Sequence, residues 1–327
     1  MKSLSALILL LAVSLVFVSC EDTGNKGQGK VVTPPLTKFV AVAPPFNADS
    51  AFVFVEQQLA FGPRVPNTKE HAACAAWLAE KFRGYGATVL VQTAQLRAWD
   101  GTLFDAKNII ATFNPESKRR VMLTAHWDSR PIADQDLEHP TAPVPAANDG
   151  GSGVAIILEI ARQFSLKAPA VGVDMILWDA EDYGTYDNNT SWCLGSQYWT
   201  KNRHQPNYRA QYGINLDMVG AKDARYTKDG YSLQYAHEDV SKVWSIAHKL
   251  GYGAYFPMEI RNFSSIDDHY FIQEGAGIPM VEIIDRDVIT GKFFPYWHTV
   301  KDDISTIDKG TLKATGQTVL EVLFREK

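Results

Sequence analysis

Along the chain, short runs of apolar residues alternate with stretches in which apolar residues return every three or four positions. The short runs predict strands over residues 88–91, 108–113, 120–125, 174–179, 213–218 and 279–284. The longer-period stretches predict helices over 49–61, 69–85, 153–164, 240–250, 267–274 and 309–324. In the third of these helices Val154, Ile157, Leu158, Ala161 and Phe164 fall on one face. Several strands show little polar alternation, as expected of strands covered on both sides. No internal repeat is visible. The alternation predicts a three-layer α/β/α domain around a mixed, mostly parallel central sheet. In such folds ligands collect at the carboxyl ends of the strands, so the residues just after each strand carry the most information.

The N-terminus breaks this pattern. Lys2 precedes an apolar run over residues 7–18, and Ser19-Cys20 follows. The run is shorter than the roughly 20 residues that span a bilayer, and residues 1–19 read as a signal peptide. A Cys directly after a small residue resembles a bacterial lipobox, with Phe17 where that motif usually has Leu. The resemblance implies lipidation of Cys20, a membrane partner through that lipid anchor, and a place in the bacterial cell envelope, periplasm-facing or at the surface. Ordinary secretion with an incidental Cys20 is the alternative. Residues 20–35 are polar, Gly-rich and end in Pro34-Pro35, the composition of a flexible tether. Residues 36–327 remain for the catalytic domain.

Composition narrows the function. The chain is 46% hydrophobic, enough for one sizeable core, and its formal net charge is -5. No Lys/Arg cluster of the nucleic-acid-binding kind occurs, which argues against nucleic acid as a partner. Beyond Cys20 only Cys74 and Cys193 remain, which allows one disulfide but no disulfide framework. Cys74 lies in an Ala-rich helical stretch and reads as a small core residue.

The chemistry stands at the strand ends. His126-Trp127-Asp128-Ser129 follows the third strand, and a loop then leads to Asn148-Asp149-Gly150-Gly151-Ser152-Gly153 at a helix start. Glu181-Asp182 follows the fourth strand, Asp217 lies in the fifth, and Trp297-His298-Thr299 comes beyond the sixth. Histidines and carboxylates spread this widely suit a catalytic zinc, which takes nitrogen and oxygen donors and keeps a position open. Each residue also has a plain alternative. Asp149 suits a turn or helix cap, His126 a satisfied core position, and Glu181-Asp182 a solvated loop. Ser265-Ile266-Asp267-Asp268-His269 suits simple N-capping. The aromatic run from Phe293 to Trp297 suits core packing, although Gly291 and Pro295 favour a loop whose rings line a pocket. Neither a GxSxG elbow nor a phosphate-binding loop is present.

His126-x-Asp128-Ser, Asn-Asp149-Gly-Gly-Ser-Gly, Asp179-Ala-Glu181-Asp182, Asn-Leu-Asp217-Met-Val-Gly, Asp267-Asp268-His269 and Trp297-His298-Thr occur in that order. Together they resemble the zinc aminopeptidase superfamily, and within it the animal-like glutaminyl-peptide cyclotransferases, from about Ala48 to the C-terminus. The resemblance implies a single Zn2+ held by Asp149, Asp182 and His298. It implies Glu181 as general acid/base, with Asp217 and Asp267 in a hydrogen-bonded network beside it. Trp297 and Trp192 match the substrate-side wall, and His269 a supporting position grouped with them. The cyclases usually carry Glu-Glu where this chain has Glu181-Asp182, a shorter but equally oxygen-donating ligand. The implied reaction converts an N-terminal glutamine of a peptide to pyroglutamate with release of ammonia. A two-zinc aminopeptidase, with His126 and Asp217 on a second ion, uses the same residues. A surface binding module that has lost catalysis is a third class. It predicts a missing ligand or a missing Glu, and neither is missing here.

Overall fold

The computed structural model describes residues 39–261 and 263–327. The expected signal peptide over residues 1–19, Cys20 and the expected tether lie outside the described residues. Two helices, α1 (Ala48–Leu59) and α2 (Lys69–Gly84), precede a hairpin of β1 (Thr88–Arg97) and β2 (Leu103–Phe113). There follow β3 (Arg120–His126), α3 (Gly151–Leu166), β4 (Gly172–Trp178), α4 (Leu194–Lys201) and β5 (Tyr212–Asp217). The chain ends with α5 (Gly230–Tyr235), α6 (His237–Lys249), α7 (Asp268–Ala276), β6 (Met280–Ile284) and α8 (Lys309–Arg325).

The six strands form one sheet in the order β1-β2-β4-β3-β5-β6. The β1–β2 and β2–β4 pairs are antiparallel, whereas β4–β3, β3–β5 and β5–β6 are parallel. The parallel strands are apolar at successive positions because both of their faces are covered. Ile109, Ala111, Val121, Leu123, Val173, Met175 and Leu177 face a large core made with α1, α2, α3, α6 and α8. The residues between them, Ile110, Met122, Ile176 and Trp178, face a smaller core with Trp199 of α4 and Ile272 of α7. Strand alternation thus separates two helical layers, and the expected three-layer α/β/α domain forms.

Three local features depart from the sequence reading. Strand β1 runs to Arg97 rather than stopping at residue 91, because its polar second half pairs with β2 along its whole length. Helices α4 and α5 are too short and too mixed in composition to show a clear period. Helix α3 is buried nearly all round instead of on one face, since it lies between the sheet, α1 and α8. Cys74 and Cys193 are both free and buried, and Cys74 is packed in the larger core. No helix among the described residues is long and apolar enough to cross a membrane.

Close packing of α3 on the sheet depends on Gly153. A methyl group there would run into the carbonyl oxygen of Leu216 and lie 2.9 Å from the Ala125 Cβ. In an open helix interior Gly→Ala stabilises by about 1 kcal/mol. Here Gly153→Ala is expected to destabilise by about 1–3 kcal/mol through overpacking, read as a lower urea midpoint. An unchanged or raised midpoint would show that α3 can back away from β3 and β5.

Candidate metal centre

The parallel strands end on one edge, and four of their connections deliver the site. His126 is the last residue of β3 and Asp217 the last of β5. Asp149 ends the loop that enters α3. It is not the helix cap, for Gly150 occupies that position without a side-chain capping bond. Gly150 has φ 76°, and a Cβ there would lie 2.8 Å from the His126 ring. The glycine therefore permits both the left-handed turn and the approach of Asp149 to His126. Ala180, Met218 and His298 also adopt positive φ, at 54°, 48° and 56°. Each is, or adjoins, a residue of the site, so the backbone stores strain where the functional side chains are aimed.

Two buried carboxylates hold the loops. Asp128 accepts from the backbone N–H groups of Glu181 and Asp182 at 3.1 and 3.2 Å. Asp302 accepts from those of Asn148 and Asp149 at 2.8 and 3.0 Å. Arg64, fully buried, ties the carbonyls of Trp127, Pro145 and Ala146 together. The sequence reading did not single out Asp302 or Arg64.

Asp149 stands between two histidines. Its Oδ1 is 3.0 Å from His126 Nε2, and its Oδ2 is 3.7 Å from His298 Nε2. His298 Nε2 is also 3.1 Å from Asp182 Oδ1, and His126 Nε2 is 3.4 Å from Asp217 Oδ1. Two donor sets result, Asp149–Asp182–His298 and His126–Asp149–Asp217. Within each, the donor atoms lie within 4.8 Å of one another. Asp149 Oδ2, Asp182 Oδ2 and Asp217 Oδ1 are buried and have no hydrogen-bond partner. Buried carboxylate oxygens are costly when unpaired, and a cation satisfies them. Nitrogen and oxygen donors in this arrangement fit zinc.

A cavity of about 270 Å3 opens over the first donor set, lined among others by Asp149, Glu181, Asp182, Asp217, Asp267 and His298. Trp192, Trp297, Tyr186 and Phe293 complete its wall. Trp297 stacks on the His298 ring at 3.8 Å between centroids. His269 departs from its expected place with the substrate-side residues. It is fully buried behind Asp267, with Nε2 3.0 Å from Asp229 and Nδ1 2.6 Å from Glu282. Asp267 caps α7 and also lines the cavity.

The electrostatics separate the acids. Burial holds Glu181 well above the ordinary carboxylate range. His126 pulls it back, while Asp182, Asp267 and Asp268 push it further up. Asp267 is raised well above that range by burial, then by Glu282, Asp217 and Asp268. Asp149 is pushed up to about 6 by burial, then by Asp182 and Asp217. Asp182 goes the other way. Burial opposes its ionisation, but His298 and Arg130 outweigh it and hold the carboxyl below its usual value. Burial would lower His298, yet Asp182 and Asp134 outweigh it and push the ring up to about 9. The resulting site has one readily ionised acid beside the histidine and two acids, Glu181 and Asp267, suited to keeping protons.

Comparison with known proteins follows the same lines. The model of peptidase family M28 matches residues 108–323. A Zn-dependent exopeptidase from Parabacteroides distasonis is 51% identical, with a TM-score of 0.84 over 87% of this chain and 100% of that one. Bacteroides thetaiotaomicron glutaminyl cyclase bound to N-acetylhistamine is 50% identical, with a TM-score of 0.85 over 87% of this chain and 100% of that one. Aminopeptidase YwaD of Bacillus subtilis is 28% identical over 242 residues, which are 71% of this chain and 47% of that protein. The chain thus spans about half the length of that relative. It belongs to peptidase family M28, as a zinc-dependent enzyme whose structural relatives at about half identity include bacterial glutaminyl cyclases.

Proposed function

We propose that this enzyme is a glutaminyl-peptide cyclotransferase, closing the N-terminal glutamine of peptides into pyroglutamate. The observation that carries the reading is the position of Glu181 and Asp267. Their oxygens lie within 4.8 Å of each other on the wall of the cavity that also exposes Asp149, Asp182 and His298. An acid of raised proton affinity beside a metal donor set suits a reaction in which one group takes a proton from one nitrogen of the substrate and returns it to another.

In this reading Asp149, Asp182 and His298 hold one zinc ion. Zinc bound there supplies a Lewis acid that polarises the γ-amide carbonyl. Glu181 takes a proton from the substrate α-amine as its nitrogen bonds to the carbonyl carbon of the side-chain amide. It returns that proton to the amide nitrogen as the carbon–nitrogen bond breaks, so ammonia leaves and no water is consumed. Asp267, raised by burial, Glu282 and Asp217, keeps a proton, so Glu181 does not face its full negative charge. Nucleophile and carbonyl belong to one residue, so the wall of Trp297, Trp192, Tyr186 and Phe293 has two tasks: folding the glutamine and excluding water. The N-terminal apolar run and Cys20 support placing the enzyme in the cell envelope.

The second donor set supports a different reading, a two-zinc aminopeptidase with Asp149 shared between ions and Glu181 activating water. Mass spectrometry of a Gln-initiated peptide incubated with the zinc-loaded protein decides between them. Loss of one ammonia with the peptide bond intact is expected. Release of the free N-terminal residue would overturn the cyclase in favour of the peptidase.

A further inference from the structure

We propose that Asp134 is a positioning residue of the metal centre: its carboxylate dictates which ring nitrogen of His298 carries the proton, and so strengthens zinc binding at the other. The inference rests on the reading of His298 as a zinc ligand.

His298 turns Nε2 towards Asp182 and Asp149 and turns Nδ1 away from them. On that far side, Nδ1 lies 3.2 Å from Asp134 Oδ1 and 2.9 Å from the Tyr186 hydroxyl. The two neighbours are not equivalent. A hydroxyl donates or accepts, so Tyr186 alone would leave the tautomer open. An ionised carboxylate only accepts. With the Asp134 carboxylate at 3.2 Å, a proton on Nδ1 is favoured by charge whether its N–H points at Asp134 or at the Tyr186 hydroxyl, and in the neutral ring the lone pair is then left on Nε2, facing the donor set.

Asp134 is itself held. Arg130 grips both of its oxygens, Nε to Oδ1 at 2.9 Å and Nη2 to Oδ2 at 2.9 Å, the two-pronged geometry that favours arginine over lysine. The same guanidinium reaches Asp182 Oδ1 at 3.4 Å and lies 4.9 Å from the Trp192 ring. One buried arginine therefore braces Asp182 directly and His298 through Asp134, against a wall of the cavity. The backbone is stitched at the same place, since Gln135 N–H donates to the His298 carbonyl at 3.1 Å and Asp136 accepts from Val300 N–H at 3.1 Å. The loop carrying Asp134 and the turn carrying His298 are thus fixed to each other on both sides of the ion pair.

The test measures zinc affinity of the purified full chain by competition with a chromogenic chelator, which needs no assumption about the reaction. Asp134→Asn keeps the shape but offers an amide N–H to Nδ1, favouring the tautomer that points no lone pair at the ion. Its zinc dissociation constant is expected to rise about 10–100-fold, the range for losing such a partner. A rise smaller than about threefold, well below that range, overturns the proposal. His298→Ala separates the two levels of inference. If it keeps zinc, the ligand reading fails. If it loses zinc while Asp134→Asn does not weaken binding, only the positioning role fails. Should Asp134→Asn not fold, nitrogen NMR of histidine-labelled wild-type protein gives the answer without it, with the His298 signal assigned by its loss in His298→Ala. A proton on Nδ1 of the neutral ring in the zinc-free protein supports the proposal, and a proton on Nε2 there overturns it.

Discussion

Glu181→Gln is expected to abolish turnover while zinc stays bound. Glutamine matches glutamate in shape but cannot take the proton of an attacking amine, so a loss of about 10²–10⁴-fold in kcat is expected. The surroundings should tolerate the change. Glu181 Oε1 accepts from the Cys193 thiol at 3.2 Å, and an amide oxygen accepts equally well. The backbone N–H of residue 181 remains bound to Asp128. Glu181 belongs to neither histidine-containing donor set, so zinc content by atomic absorption should match that of the wild type. Turnover within tenfold of the wild type would remove Glu181 from the mechanism under either reading of the reaction.

Asp149→Asn should be more drastic, because Asp149 is the residue that the two donor sets share. The substitution leaves volume and backbone anchoring intact, since Asp302 holds the N–H of residue 149 and not its side chain. What changes is charge. A neutral amide is a poor zinc ligand, and the buried neighbours Asp182 and His298 lose their shared partner. Zinc affinity should fall by more than about 100-fold, beyond the cost of losing an outer partner, and turnover should fall with it. Stoichiometric zinc after dialysis against a weak chelator would refute the donor role, whichever number of ions the wild type holds.

Much of this arrangement could be read along the chain, for a physical reason. Parallel strands covered on both faces leave uninterrupted apolar runs, and polar residues appear where the strand leaves the sheet. His126, Glu181-Asp182 and Asp217 stand at such breaks, and Asn148-Asp149-Gly150 marks the only way into α3. The residues that aim them were not legible. Asp134 lies in a loop with Asp136 and Glu138, and in sequence it looks like any solvated acid. Only the folding of that loop over His298 gives it a function. Asp302 follows a lysine in a polar turn and becomes buried only because it clamps the backbone before α3. His269 failed in the opposite direction. A histidine beside two acids at a helix start looks like part of a cavity wall, but its salt partners Asp229 and Glu282 come from other elements and draw it into the interior. The positive φ of Ala180, Met218 and His298 has no local signal either, since none is glycine and only tertiary contacts impose it.

The sheet order has a consequence for how the enzyme is made. The donor residues lie on segments far apart in the chain, after β3, β4 and β5 and beyond β6, and the full set is assembled only once β3 pairs with both β4 and β5 and β5 pairs with β6. In a zinc finger the ligands sit close together, so the metal can nucleate the fold. Here loop-closure entropy must be met by strand pairing before any two donors meet. The ion arrives at a nearly finished molecule: it is a passenger of folding rather than its template. Metal supply then determines how many molecules are active, and it steadies the finished fold rather than starting it.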